Sequence, residues 1–324
     1  MSARSTAGII DDLRLADEMA RLRETIGGWV ERAHLEMRDA LRWQFDSGSK
    51  YFRPLTLFSC HRAMAPAPVS KGLLNAALAV ELFHNVSLVI DDIVDHSDAR
   101  RGKPTLHRRF GELPALMVSG YIVADGYQIV SSPGSYDETD RFDEALVQLN
   151  VSLLSELMRR LGVAECMQWR LRRQPLGLED WRTIAGEDTG SMFEVCACLG
   201  TRSEVLRKFG RLLGMLYHGC DDVGDVRGAQ ALGGGGKEDL RDGILTLPAA
   251  LAIRDPALRE VFCRADPSDA DLELLAGAFA ARLDDAERVL DEIAQEAKDQ
   301  ARRHARDPAP LLALVDHTRQ LSGR

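Results

Sequence analysis

The spacing of its apolar residues is the feature of this chain that most constrains its fold. Over most of the 324 residues, apolar side chains recur three or four positions apart, and sustained alternation of apolar and polar residues is hard to find. Breaks rich in Gly, Pro and Ser separate these segments. The breaks fall at Gly48, 65–68, 131–134, 175–177, 233–236, Pro267 and Pro308. The pattern predicts an all-α fold built from long helices.

Charge and composition argue against several kinds of partner. The formal net charge is -9, whereas binding to nucleic acid or to an anionic membrane needs clustered Lys and Arg. The N-terminal residues include acids and do not resemble a signal peptide, and the most apolar segment, residues 73–90, is interrupted by polar groups that are costly in lipid. The six cysteines form no CxxC pair, which indicates reduced core residues. We expect a cytoplasmic protein that neither binds nucleic acid nor inserts stably in a membrane.

Two of the apolar segments, residues 73–95 and 204–225, each end in a cluster of aspartates. The clusters consist of Asp91, Asp92, Asp95, Asp221, Asp222 and Asp225. Helix positions four apart lie on one face, so each cluster gathers like charges at a helix end where the macrodipole disfavours them. Mg²⁺ shared between carboxylates and phosphate oxygens would offset this repulsion. One cluster alone could be a solvated acidic helix end, but two indicate a metal site for a diphosphate.

Basic residues precede and follow the first cluster. Lys50 and Arg53 lie upstream, and Arg100 and Arg101 lie downstream. Arg offers a bidentate fork and Lys a point charge for phosphate oxygens. Either pair alone could be ordinary solvated surface, but beside two aspartate clusters they indicate phosphate binding. The glycine run at 233–236 supports a P-loop only weakly, because no strand precedes it and no GK[ST] ending follows.

At this point the sequence resembles the trans-isoprenyl diphosphate synthases, the polyprenyl synthetase family. The resemblance covers nearly the whole chain, with the family's motifs in order. The matching segments are SGSKYFRP, ELFHNVSLVIDDIVDHSDARRGKPTLHRRFG, AECMQ, EDTGSMF, YHGCDDVGD and GKEDLRDGILTLP. The resemblance implies one domain over residues 1–324, a large helical bundle of the isoprenoid synthase (class I terpenoid synthase) type with a central substrate cavity.

The resemblance also implies a reaction and a role for each motif residue. The enzyme would condense an allylic diphosphate with isopentenyl diphosphate to give a longer trans-polyprenyl diphosphate, using a set of three Mg²⁺ ions. Asp91, Asp95 and Asp221 would ligate the metals, supported by Asp92, Asp222 and Asp225. Lys50, Arg53, His84 and Arg101 would hold isopentenyl diphosphate, and Arg100 and Lys237 the allylic diphosphate. Thr189 and His218 would face the carbocation or its diphosphate, or else cap their own helices. A homodimer is also implied.

The chain departs from the family motifs on the allylic side. Asp188 and Ile244 stand where the family has lysines. Gly224 lies within the second cluster and destabilises its helix by about 1 kcal/mol relative to Ala. A unit charge pair at 4 Å is worth about 4 kcal/mol at an effective dielectric of 20, so an acid at position 188 matters. If Asp188 faces the allylic diphosphate, Asp188→Lys should lower the KM for that substrate.

These departures leave two alternatives to chain elongation. A class I terpene cyclase, or a prenyl-coupling enzyme with an unusual acceptor, would keep the metal clusters and suit a changed substrate. A non-catalytic subunit of a heteromeric synthase is the second alternative, but such a subunit has no physical need for clustered acids. The basic residues of the isopentenyl side favour elongation.

Product length is expected to depend on the helix that leads into Asp91. Ser87, Val86 and Phe83 lie four, five and eight positions before Asp91, close to one helix face. Ser87 and Val86 are small, whereas Phe83 is either the floor of the cavity or an ordinary core residue. We therefore expect a product of about twenty carbons or longer, limited one helical turn deeper than Val86.

Overall fold

The computed structural model describes residues 3–46, 50–65, 67–140, 143–228 and 236–323, with side chains except at 3–7 and 236–238. Nearly all of its regular structure is helical, which confirms the predicted all-α fold. The helices are α1 (Ala3–Asp12), α2 (Ala16–Arg32), α3 (Leu35–Phe45), α4 (Phe52–Met64), α5 (Lys71–Val94), α6 (Leu106–Phe110), α7 (Glu112–Ser131), α8 (Glu144–Leu171), α9 (Leu178–Glu187), α10 (Thr189–Thr201), α11 (Arg207–Val226), α12 (Gly236–Asp242), α13 (Leu247–Ala252), α14 (Pro256–Phe262), α15 (Asp269–Ala280), α16 (Leu283–His304) and α17 (Ala309–Arg319). Two antiparallel strands of two residues each, β1 (Ala99–Arg100) and β2 (Lys103–Pro104), form a hairpin between α5 and α6.

The chain divides into two compact units. One comprises residues 10–158 and 195–204, and contains the first aspartate cluster. The other comprises residues 1–9, 159–194 and 205–324, and contains the second cluster. Helices α8 and α10 contribute to both units. The single domain expected over residues 1–324 stays a prediction.

Helix α5 is the central element of the first-cluster unit. Its N-terminus is capped by Ser70, whose side chain accepts a hydrogen bond from the backbone N–H of Leu73. The helix packs on α7, α2 and α4, and is buried on nearly all sides, as its apolar composition requires. Its last turn reaches Asp91 and Asp92. Packing of α5 therefore fixes the position of the first aspartate cluster.

Helix α11 has the same role in the second-cluster unit, where it packs on α16, α9 and α17. Two glycines permit close approach of its neighbours. A Cβ at Gly214 would lie 2.7 Å from the Cα of Gly190, and one at Gly219 would lie 3.0 Å from the Trp181 ring. A side chain at either position would push α11 away from the chain that flanks the second cluster.

The predicted breaks agree with the helix ends within the described residues. Helix α7 ends at Ser131, and α9 begins directly after Gly177. The break between α9 and α10 at Asp188 was not predicted, although Gly186 and Gly190 lie two residues to either side of it. The expectation of core cysteines is wrong for Cys166, which is exposed, and Cys263 is only partly buried.

Two helices are long and apolar enough to cross a membrane by length and composition alone. They are α5 and α7. In the most apolar stretch of each helix, 78% of α5 but only 33% of α7 is buried inside the protein. The high burial of α5 marks it as a core helix. Helix α7 instead leaves an apolar face exposed, formed by Leu113, Leu116 and Met117.

Candidate active site

The first aspartate cluster lies at the C-terminal end of α5. Asp92 is 2% exposed, and its Oδ1 accepts a hydrogen bond from Nε of Arg100 at 2.8 Å. Burial raises the pKa of Asp92, while the Arg100 guanidinium opposes that rise. Asp95 is the C-cap, with its N–H donating to the Asp91 carbonyl, and is exposed where Asp91 is half-buried. Asp92 is thus held by the protein, and Asp91 and Asp95 lie nearer to solvent.

The β1–β2 hairpin brings the two predicted arginines back towards α5. Its turn residues, Arg101 and Gly102, have φ values of 53° and 77°, the left-handed conformation that tight hairpin turns need. Trp43 fixes the hairpin by donating from Nε1 to the Pro104 carbonyl at 3.0 Å, and Lys103 pairs with Asp46 at 2.8 Å. Neither Trp43 nor Asp46 carries a motif that sequence reasoning could recognise.

A basic cavity lies beside α5 in the same unit. It is lined by Gln44, Phe45, Tyr51, Glu81, His84, Asn85, Leu88 and Arg101. Nη1 of Arg53 lies 3.1 Å from Nε2 of His84, and Lys50 lies three residues before Arg53, just ahead of α4. The structure therefore brings Arg53, His84 and Arg101 together.

His84 is neutral in this cavity, and its tautomer follows from its neighbour. Burial lowers the pKa of His84 well below its usual value, and the positive charges of Arg53, Arg101 and Arg100 lower it further. Because Arg53 can only donate, Nε2 of His84 accepts and Nδ1 carries the hydrogen. That Nδ1 atom is buried, without a hydrogen-bond partner among the described residues. An anion in the cavity would supply an acceptor for it.

Three wall residues of this cavity were missed by the sequence reasoning. Tyr51 caps the N-terminus of α4 with a left-handed φ of 55°. Gln44 donates from Nε2 to Oδ1 of Asn85 at 3.0 Å, and Asn85 donates to the Glu81 carbonyl. For Asn85, a polar residue on the otherwise apolar α5 was the available signal, because buried polar groups need partners or a ligand. Gln44 and Tyr51 lie outside α5 and gave no such signal.

The second cluster lies in the last turns of α11, where Asp222 is engaged by its own protein. Its Oδ2 accepts hydrogen bonds from Nε1 of Trp181 at 2.9 Å and from the N–H of Leu247 at 2.7 Å. Its Oδ1 lies 3.8 Å from Nε2 of His218. Burial raises the pKa of Asp222, and His218 opposes the rise. Asp222 thus joins α11 to α9 and to the first turn of α13.

His218 lies between two carboxylates. Its Nδ1 is 3.0 Å from Oγ1 of Thr189 and 3.4 Å from Oδ2 of Asp188. Burial by itself would lower the pKa of His218, but Asp222, Asp188 and Asp221 outweigh burial and raise the pKa to about 9. The structure therefore brings Thr189, His218 and Asp188 together beside Asp222.

Asp239 adds a further acid near the second cluster. Burial, together with the charges of Asp222, Asp225 and Asp221, raises the pKa of Asp239 to about 7. Asp239 was not singled out in the sequence, although it lies in the GKEDLRDG segment. Within the described residues, no three or more His, Cys, Asp or Glu side chains alone could hold a metal ion. A site with few protein ligands fits Mg²⁺, because this ion usually keeps water and phosphate oxygens among its ligands.

The remaining predicted residues fall in several environments. Phe83 is fully buried against α7, where its ring lies 5.2 Å from that of Tyr127 and covers Gly126. Val86 is buried, and Ser87 is half-buried with its Oγ donating to the His84 carbonyl. The side chain of Lys237 lies outside the described residues.

Comparison with known proteins agrees with this arrangement. A Caulobacter crescentus polyprenyl synthase, solved with calcium and isoprenyl diphosphate, has a TM-score of 0.79 and 24% identity, covering 100% of this chain and 98% of that one. This likeness supports the fold. Nonaprenyl diphosphate synthase of Mycobacterium tuberculosis is 26% identical, over 93% of this chain and 91% of its own.

The family assignment comes from the sequence comparisons. The chloroplastic heterodimeric geranylgeranyl pyrophosphate synthase large subunit 1 of Arabidopsis thaliana is 30% identical over 68% of this chain, and the matched region spans 63% of that protein. The polyprenyl synthetase family model matches residues 34–276. Since this match covers well over half of the residues and includes both aspartate clusters and the basic cavity, the chain belongs to the polyprenyl synthetase family.

Proposed function

We propose that this protein is a trans-prenyltransferase that condenses an allylic diphosphate with isopentenyl diphosphate. The observation that carries the proposal is the basic cavity beside α5, which is lined by neutral His84 and Arg101, with Arg53 in contact with His84. Only an enzyme that binds a second diphosphate substrate needs such a site in addition to its aspartate clusters. Isopentenyl diphosphate supplies the oxygens that these groups would bind.

We propose that Asp91, Asp95, Asp221 and Asp225 hold Mg²⁺, with three ions in the working enzyme. Bound metal would act as a Lewis acid that stabilises charge on the departing diphosphate, worth several kcal/mol. The protein's own contribution is orientation. Arg100 fixes Asp92, and Trp181 with the Leu247 amide fixes Asp222, so the neighbouring carboxylates stay in place when substrate arrives. Lys237 and Arg100 would add positive charge for the allylic diphosphate.

The product is proposed to be a polyprenyl diphosphate of about twenty carbons or longer, because the growing chain would run beside α5. Ser87 and Val86 offer little obstruction near Asp91. Phe83 is the first large side chain on that face, and its ring is held against Gly126 and Tyr127 of α7. A ring that is packed this closely can limit the tail.

A class I terpene cyclase, or a prenyl-coupling enzyme with another acceptor, is the second candidate. Asp188, which stands where the family has a lysine, is the observation that favours it, because it changes the charge beside the second cluster and so suits a changed substrate. Its pairing with His218 offsets part of this effect. The intact basic cavity favours elongation over this candidate.

We propose that the protein works in the cytoplasm as a homodimer joined through α7. One face of α7 packs on α5 through Ala115, Val118 and Ile122, and the opposite face exposes Leu116 and Met117. An exposed apolar helix face of this kind marks an association surface. A second copy offers the same face, so the contact can be symmetric.

Incubation of purified protein with Mg²⁺, isopentenyl diphosphate and dimethylallyl, geranyl or farnesyl diphosphate tests the proposal. Chromatography of the products before and after dephosphorylation separates the candidates. Longer diphosphates that need isopentenyl diphosphate are the expected result. Hydrocarbons or alcohols formed without isopentenyl diphosphate would instead establish a terpene cyclase. No product with any allylic substrate would leave a prenyl-coupling enzyme that needs another acceptor, or a non-catalytic subunit.

A further inference from the structure

The break between α9 and α10 presents two consecutive side chains to α11. Helix α9 ends at Glu187, and Asp188 has a ψ of -101°, which no regular helix contains. At this break Thr189 Oγ1 lies 3.2 Å from Oδ2 of Asp188 and 3.0 Å from Nδ1 of His218. One edge of the His218 ring is therefore held by two neighbouring residues of the break.

The other edge of the same ring faces the second aspartate cluster. Nε2 of His218 lies 3.8 Å from Oδ1 of Asp222, one helical turn further along α11. The far oxygen of Asp222 is fixed by Trp181 and by the Leu247 amide. The His218 ring thus spans the gap between Asp188 and Asp222, and each of its nitrogens faces one carboxylate.

The break itself is held by a network of charged groups that is partly buried. Arg160 pairs with Glu187 at 2.9 Å and with Glu194 at 2.7 Å, and Arg211 of α11 pairs with the same two acids at 2.9 and 3.2 Å. Glu187 directly precedes Asp188. Each guanidinium group bridges Glu187, before the break, and Glu194, after it, which makes the geometry of the break rigid rather than adaptable.

We propose that Asp188 and His218 are positioning residues that act as one unit: the break at Asp188 orients the His218 ring, and the ring orients Asp222. The coupling of the two residues does not depend on which reaction is catalysed. Its consequence for the allylic diphosphate rests on the proposed function.

The physical reason for coupling is that neither residue is well placed without the other. If His218 is removed, Asp188 and Asp222 remain as two carboxylates with nothing between them. If Asp188 is neutralised to Asn, the ring loses the negative charge that faces Nδ1 and Thr189 loses a charged acceptor, so the ring is held less firmly in the orientation that faces Asp222. Once either residue is changed, changing the other residue removes little further interaction. Residues that share one network in this way give non-additive effects.

A double-mutant cycle with near-isosteric changes tests the proposal. The four proteins are wild type, Asp188→Asn, His218→Gln and the double variant, and His304→Gln on the exposed part of α16 is the matched control. The first measurement is the urea midpoint without metal. We expect each single change to lower the midpoint and the double variant to fall no further than the worse single variant. Shifts that simply add would overturn the coupling.

The second measurement is steady-state kinetics with Mg²⁺. We expect each single change to raise the KM for the allylic diphosphate about tenfold, the double change to raise it no more, and the KM for isopentenyl diphosphate to stay within about twofold in all variants. Equal rises in both KM values, or multiplicative effects, would show a merely structural role. An inactive wild type would contradict the proposed function, while the urea cycle would still decide whether the pair is coupled.

Discussion

At the scale of single residues, the middle carboxylate of each aspartate cluster is held by the protein. Asp92 pairs with Arg100, and Asp222 accepts hydrogen bonds from Trp181 and the Leu247 amide. The sequence motif does not distinguish between its three acids. Residue spacing alone cannot show which side chain accepts a hydrogen bond from another helix or loop. We infer that Asp92 and Asp222 orient the clusters.

Removing an outer carboxylate should abolish turnover and leave the fold intact. For Asp91→Ala and Asp221→Ala we expect less than about a tenth of the wild-type rate, a loss above about 1.4 kcal/mol in transition-state stabilisation. The metal-free fold should not suffer, because each change removes a like charge from a helix C-terminus. Product formation and urea unfolding are the measurements. A variant that keeps most of its activity would remove that residue from the metal site.

The hydrogen bond from Trp181 to Asp222 can be tested with a variant that keeps an aromatic ring at this position. Trp181→Phe keeps an aromatic ring against Gly219 but removes the Nε1–H donor. We expect a loss of about 1–2 kcal/mol in the free energy of unfolding and a lower turnover rate, since Asp222 then keeps fewer partners. The exposed Trp169 provides the control, and Trp169→Phe should change stability by no more than about 0.5 kcal/mol. Equal effects would contradict this role.

The neutral state of His84 predicts how stability depends on pH. Burial, with Arg53, Arg101 and Arg100 beside it, holds the folded-state pKa well below 6.5, so only the unfolded chain takes up this proton below that pH. Stability should therefore fall as pH drops from about 6.5, by at most about 1.4 kcal/mol per pH unit from this group. In His84→Gln the slope should be shallower, as urea unfolding between about pH 5 and 7 would show. An unchanged slope would mean that His84 is protonated in the fold.

At the scale of helices, α5 both fills the core and carries the residues expected to set product length. Val86 and Phe83 are fully or almost fully buried, and Phe83 occupies the space above Gly126. We expect Phe83→Ala to lengthen the product by opening a cavity and Val86→Phe to shorten it by filling one. The overpacked variant should cost about 1–3 kcal/mol of stability.

Chromatography of the dephosphorylated products measures this effect. Leu73, buried in the first turn of α5 and far along the helix from Asp91, supplies a control. Leu73→Ala should lower stability and leave product length unchanged. If Phe83→Ala and Val86→Phe also give the wild-type product, this face of α5 does not limit the chain.

The helices that carry the clusters could be predicted from sequence, whereas some of their connections could not. Apolar spacing located both helices: α5 is apolar on nearly all sides and must be buried, whereas α11 is amphipathic and buries one face. The break at Asp188 depends on Arg160 and Arg211, which are distant in sequence, and the β1–β2 hairpin depends on Trp43. The sequence motif identified Asp188 as a changed residue, but it did not show that His218 is its partner. Asp188→Lys alone would place an ammonium group against His218, so tighter allylic binding is no longer expected from that single change.

At the scale of the whole molecule, the exposed face of α7 predicts the oligomeric state. Leu116 and Met117 are 45% and 53% exposed. We expect a homodimer in solution that the double change Leu116→Glu and Met117→Glu converts to a monomer, because two acids on each copy would face their counterparts. Light scattering coupled to gel filtration measures the mass.

Leu274 on α15 is the matched control for this change, being 52% exposed on a different helix. Leu274→Glu should remain dimeric. A wild type that is monomeric at micromolar concentration, or a dimer that survives the double change on α7, would contradict the proposed interface.

Chain elongation fixes the stoichiometry of the whole reaction. Its most direct test is the amount of inorganic diphosphate released for each isopentenyl diphosphate consumed. The wild type, supplied with Mg²⁺, an allylic diphosphate and isotopically labelled isopentenyl diphosphate, should release one inorganic diphosphate for every labelled unit incorporated. Every product should retain its own diphosphate. Diphosphate release without consumption of isopentenyl diphosphate, or consumption without release, would contradict the proposed function.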